Sequence, residues 1–69
     1  MYSAEIVKEL RVKMGLNRAD FAKKLGLTRT SVYHYENGLR MPKQQILRLI
    51  LILAKKNKLD INLEKLMGV

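Results

Sequence analysis

Between Arg18 and Glu36 the chain places apolar side chains at Phe21, Ala22, Leu25, Leu27, Val32 and Tyr35 around a glycine at 26, and this spacing constrains the fold more than any other feature. Phe21, Ala22 and Leu25 fall on one face of a short helix, and Val32 and Tyr35, spaced i, i+3, fall on one face of the next. Two helices that meet near a right angle across a turn of about three to four residues need a small residue at the crossing, here Ala22. The turn itself needs a residue tolerant of positive φ, here Gly26, with Leu25 and Leu27 plugging the corner. Asn17 is placed to cap the first of these helices, with Asp20 three residues on, and Thr28 to cap the second, which runs to Asn37-Gly38.

The rest of the chain is read from the same kind of punctuation. Glycines at 15, 26, 38 and 68 each follow a segment with helical spacing, and the single proline is Pro42. Ser3 is a good N-cap, Tyr2 and Val7 have the spacing of a hydrophobic staple, and Ile6, Leu10 and Met14 form a stripe that ends at Gly15. Pro42 opens a fourth helix from Lys43 to about Lys56. Asp60 is placed to cap a last short helix carrying Ile61, Leu63, Leu66 and Met67. The expectation is an all-α fold of five short helices in one domain, residues 1–69, with no sheet.

At 69 residues, folding buries only roughly 60% of the surface that the unfolded chain exposes. The chain has no cysteine, so disulfides and thiolate metal sites play no part, and no cofactor is expected. The charge balance of 14 Lys and Arg against 6 Asp and Glu, a formal +8, favours a polyanionic partner. Charge alone leaves DNA, RNA and an anionic membrane open. The N-terminus lacks a signal-peptide pattern, and the longest apolar stretch, Ile46 to Ala54, is interrupted by Arg48 and falls far short of the roughly 20 residues that span a bilayer. A cytoplasmic protein with no membrane partner is the expectation. An enzyme is not, because the chain has one His, no Gly-rich phosphate loop and no pair of acids placed for proton transfer.

With Val32 and Tyr35 turned inward, Arg29, Thr30, Tyr33 and His34 form a polar outward face. Arg29 has the geometry for two hydrogen bonds to guanine O6 and N7, and Thr30 offers a hydroxyl and a methyl group to a base edge. His34 has no partner His or Cys, which argues against a metal ligand. The stretch from Gly15-Leu16-Asn17-Arg18-Ala19-Asp20-Phe21-Ala22 through Glu36-Asn37-Gly38, with a basic residue and proline soon after, resembles the Cro and phage-repressor type of helix-turn-helix domain. The resemblance runs from about Ile6 to Met67 and implies a lambda-repressor-like fold with its helix-turn-helix at residues 17–37. It further implies that the third helix enters the major groove of double-stranded DNA, with Arg29, Thr30, Tyr33 and His34 on the base edges.

Phosphate contacts are expected where helix N-termini present free N–H groups, and along the segment after the third helix: Asn17, Arg18, Thr28, Asn37, Arg40 and Lys43. Relatives commonly carry Gln where this chain has Arg18, a change that keeps a donor and adds charge. The resemblance also implies a structural salt bridge between Arg11 of the first helix and Glu36 at the end of the third, orienting the recognition helix.

On the fourth helix Ile46, Leu49, Ile50 and Leu53 make a stripe suited to closing the core, leaving Leu47 and Leu51 as a second stripe and Ile52 opposite. That surplus is covered either by the fifth helix or by a second copy, the candidate dimer segment being residues 46–69 with Leu47, Leu51, Leu63, Leu66 and Met67, joined by Val69, at the interface. A two-fold dimer would set two recognition helices about 34 Å apart over a palindromic operator. The function expected is a sequence-specific DNA-binding transcriptional regulator, a repressor acting by promoter occlusion as a homodimer. The alternative is a protein-interaction module, such as an antitoxin component, whose main partner is another protein.

Overall fold

The computed structural model describes residues 3–67, apart from the side chain of Leu63. Five helices follow in order: α1 Ala4–Lys13, α2 Arg18–Leu25, α3 Arg29–Glu36, α4 Gln44–Lys56 and α5 Leu63–Met67, with no strand among the described residues. Their inner faces meet in one apolar core that includes Val7 and Leu10 of α1, Phe21, Ala22 and Leu25 of α2, Val32 and Tyr35 of α3, Leu47, Ile50 and Ala54 of α4, and Leu66 of α5. The two ends of the described chain are tied together, because the Ser3 backbone N–H donates to the Leu66 carbonyl at 2.7 Å.

α2 and α3 start on side-chain caps. The Asn17 Oδ1 accepts from the Asp20 N–H at 2.8 Å, and the Thr28 hydroxyl oxygen accepts from the Ser31 N–H at 3.1 Å, each satisfying a donor that a helix start leaves free. Between them Gly26 sits in the left-handed region at φ 70°, and the Leu27 N–H turns back to the Ala22 carbonyl at 2.8 Å. That bond closes the six-residue C-terminal motif which needs a left-handed residue before it.

Elsewhere four local expectations are corrected. Ser3 occupies the cap position of α1 but its side chain makes no capping hydrogen bond. Pro42 is fully buried and precedes the cap residue Lys43, so α4 begins at Gln44, not at Lys43. α5 is capped by Asn62, whose Oδ1 accepts from the Lys65 N–H at 2.8 Å, while the Asp60 carboxylate faces the Lys65 ammonium at 3.4 Å. Ile61 therefore lies ahead of α5. The paired role expected of Tyr2, and Gly68 as a helix stop, lie outside the described residues.

The largest correction concerns α4. Leu47 (7% exposed), Ile50 and Ala54 point into the core, whereas Leu49 is 38% and Ile52 51% exposed. The buried face is thus turned toward Leu47 and Ala54: of the stripe Ile46, Leu49, Ile50 and Leu53, Ile50 is fully buried and Ile46 and Leu53 pack half-buried against the core, while Leu49 leaves it. Between Ile46 and Leu53 every residue except Arg48 is Ile or Leu, so apolar spacing alone fits either face. The buried face ends in the small Ala54, which adds little to an apolar stripe but lets the helix come close. Leu47 and Leu66 are consequently core residues and are not offered to a second subunit; Leu51 and Met67 are half-buried against the same core, and the side chain of Leu63 lies outside the described set.

Candidate nucleic-acid interface

α3 divides its residues cleanly. Val32, Tyr35 and Glu36 are buried, Arg29, Thr30 and Tyr33 are exposed, and His34 is half-buried at the margin. The exposed three line an open hollow with Asn17, Arg18 and Ala19 of the α2 N-terminus and Arg11 of α1. Three of the seven lining residues are arginines, so the hollow is electropositive and shaped by the start of α2 meeting the outer face of α3. The His34 ring stands edge-on to Tyr33 at 6.1 Å between centroids.

Beneath this face Glu36 anchors α3. Its side chain is 1% exposed, and its Oε2 accepts from the Arg11 Nε at 2.7 Å while its Oε1 accepts from an Arg11 Nη at 3.4 Å. The other Arg11 Nη donates to the Leu16 carbonyl at 2.9 Å, so Arg11 is committed to joining α1, the α1–α2 turn and the end of α3. The structure adds a partner that the sequence did not suggest. The Arg18 Nε donates to the same Glu36 Oε1 at 3.2 Å, and the Arg18 guanidinium carbon lies 5.5 Å from the centre of the Tyr33 ring. Residues 18 and 36 have no local spacing rule between them; only the angle between α2 and α3 brings them together.

The groups expected at phosphates keep different amounts of hydrogen-bonding capacity. Asn17 uses its carbonyl oxygen in the cap and leaves its amide N–H groups for an acceptor. Thr28 both accepts from the Ser31 N–H and donates its hydroxyl to the Ser31 Oγ at 3.1 Å. The Asn37 amide donates to the Tyr33 carbonyl at 2.8 Å, closing the end of α3. Arg40 and Lys43 are exposed, beside a loop whose Leu39 and Met41 are also solvent-facing.

Among the described residues no group of three or more His, Asp or Glu comes together as a metal site, and no helix is long and apolar enough to cross a membrane. The helix-turn-helix family matches residues 7–66, from the middle of α1 to the end of the core in α5. No curated protein and no solved structure shows a significant match.

Proposed function

The chain belongs to the helix-turn-helix family of Cro- and repressor-type DNA-binding transcription regulators, and from that premise we propose that it recognises one operator sequence in double-stranded DNA through α3. The observation that carries this reading is the exposed row Arg29, Thr30 and Tyr33, turned away from the buried Val32 and Tyr35 of α3. Arg29 and Thr30 stand at the helix N-terminus, the end that meets base edges when such a helix enters the major groove. Tyr33 and His34 follow one turn later. Asn17, Thr28, Asn37, Arg40 and Lys43 hold the flanking phosphates, Thr28 and Asn37 with what their caps leave over.

The protein acts as a repressor by occluding a promoter, as a homodimer on a palindromic site. Support for the dimer comes from Leu49 and Ile52, left exposed on α4 by a fold that already fills its core. The body measures 28 × 25 × 19 Å, and two such bodies side by side fit recognition helices ~34 Å apart, one turn of DNA. A monomer in sedimentation at high micromolar concentration, with and without operator, rules the dimer out. The same exposed leucine and isoleucine support a second reading, in which the main partner is another protein.

Selection of bound duplexes from a random pool, followed by gel shifts across a salt series, decides between the two. A DNA-reading protein recovers a defined sequence and loses affinity steeply as salt rises, because each neutralised phosphate releases counterions. Arg29→Ala is expected to cost about 1–3 kcal/mol and to relax preference at one base pair, whereas Lys43→Ala weakens all sequences alike. Equal losses for both variants on every sequence contradict base reading by Arg29.

A further inference from the structure

We propose that Arg18 is a positioning residue for base recognition: tethered to Glu36, its guanidinium holds the Tyr33 ring in the orientation that meets the base edge, and it is not a phosphate clamp. This rests on the DNA-reading role of α3 stated above. Glu36 does not need Arg18 for neutralisation. Arg11 alone meets both carboxylate oxygens, at 2.7 and 3.4 Å, and is itself fixed by the Leu16 carbonyl. A second guanidinium on one buried carboxylate leaves a local surplus of positive charge, so its value lies elsewhere.

The geometry says where. Tyr33 and Glu36 are spaced i, i+3 and share one side of α3. An arginine reaching across from the first residue of α2 with Nε on Glu36 at 3.2 Å therefore sets its cationic group over the Tyr33 ring, its guanidinium carbon 5.5 Å from the ring centre. His34 stands against the same ring from along the helix. Tyr33 is 47% exposed, and a tyrosine that open would otherwise sample its rotamers freely. Held in advance, it loses less freedom when DNA binds, and a misplaced base meets a ring that does not adjust. Because Nε is taken by Glu36, only the outer edge of the guanidinium is left for a phosphate.

Lysine at this position separates the two roles. Arg18→Lys keeps the charge, but it has neither the Nε that reaches Glu36 nor the guanidinium that stands over the ring. The probes are the duplex recovered by selection and its single base-pair variants, measured by gel shift over a salt series for the wild type, Arg18→Lys, Arg18→Ala, Tyr33→Ala and the Arg18→Lys/Tyr33→Ala double variant. Melting curves without DNA establish that each variant is folded. Arg18→Lys is expected to keep the wild-type salt slope yet lose about fivefold or more of the discrimination, the size of a modest base contact. The loss falls at the base pair that Tyr33→Ala also relaxes, and the double variant is no worse there than Tyr33→Ala alone.

Retention of wild-type base preference by folded Arg18→Lys overturns the proposal. So does a uniform weakening by Arg18→Ala that Arg18→Lys restores, since that is the behaviour of a phosphate contact. Tyr33→Ala relaxing no base pair overturns it as well. A wild-type protein without any base preference contradicts operator reading itself, a failure distinct from a selective protein whose selectivity ignores Arg18.

Discussion

α2 ends on Gly26 at φ 70° and α4 on Lys58 at φ 59°, and the two ends share one backbone pattern, to which α4 adds the Asn57 amide donating to the Leu53 carbonyl at 2.8 Å. In each, the residue after the left-handed one turns its N–H back five residues, Leu27 to the Ala22 carbonyl at 2.8 Å and Leu59 to the Ala54 carbonyl at 2.9 Å. The α2–α3 half thus obeys local rules at every joint: amide cap, glycine stop, hydroxyl cap. The α4–α5 half reaches the same geometry with less local help at two positions, Lys43 and Lys58. Lys43 caps α4 without a side-chain bond, Lys58 stops it against its own preference, and near-continuous Ile and Leu leave its face undecided. The half that presents α3 is specified residue by residue, whereas in the other half Asn57 closes α4 and Asn62 caps α5 locally but the face of α4 is specified by what it packs against.

The first way to break this comparison is to remove the anchor of the better-specified half. Glu36→Gln leaves Arg11, 14% exposed, facing a neutral amide with Arg18 beside it. Stranding a buried partner charge in this way costs about 3–5 kcal/mol, a large share of what so small a domain has. Urea unfolding should show a transition shifted to much lower denaturant at unchanged slope. Arg18→Ala should cost far less in the same measurement, because that side chain is 37% exposed and solvent screens the pair. Equal losses would mean that Arg18, not Arg11, carries the anchor.

A smaller effect tests the face of α4. Leu47→Ala should destabilise by about 2–4 kcal/mol, the usual range for a leucine emptied from a core. Leu49→Ala should stay within about 1 kcal/mol, since that side chain is already partly in water. The reverse order would restore the face expected from apolar spacing. If Leu49→Ala leaves stability alone but lowers the apparent mass at a given concentration, the exposed face belongs to a partner subunit.

These two tests mark the limit of what the sequence makes legible. The corner around Ala22 and Gly26, the caps at Asn17 and Thr28, and the outward row of α3 all follow from rules reaching no further than four residues, so they are readable directly. The Arg11–Glu36 pair joins residues 25 apart and was suggested only by resemblance. Nothing pointed to Arg18 on Glu36, because that contact exists only once α2 and α3 have crossed. The face of α4 departs from its apolar spacing for a related reason. Its choice between Leu47 and Leu49 is made by the fit of Ala54 and Leu66 into a core assembled from every helix, and periodicity carries no information about that fit. Asp60 and Asn62 are both good caps, and two residues of chain direction decide between them.

The smallest expected effect bears most directly on the two helix ends. No atom outside its own neighbourhood lies within 4 Å of a Cβ built on Gly26, so Gly26→Ala meets backbone strain alone and should cost about 1–2 kcal/mol. Lys58→Gly should run the other way. It relieves the same kind of strain but gives the unfolded chain more freedom to lose, so the net gain is about 0.5–1 kcal/mol. In a domain of this size that raises the melting temperature by roughly 2–8 °C. Removing a positive charge from a +8 chain would also help, and Lys58→Ala isolates that contribution because alanine keeps the strained φ. Lys58→Gly rising in calorimetry while Lys58→Ala stays near wild type locates the strain in the backbone of the α4 end. A matching rise for both variants would assign it to charge, and the two helix ends would then differ in electrostatics instead of in local instruction.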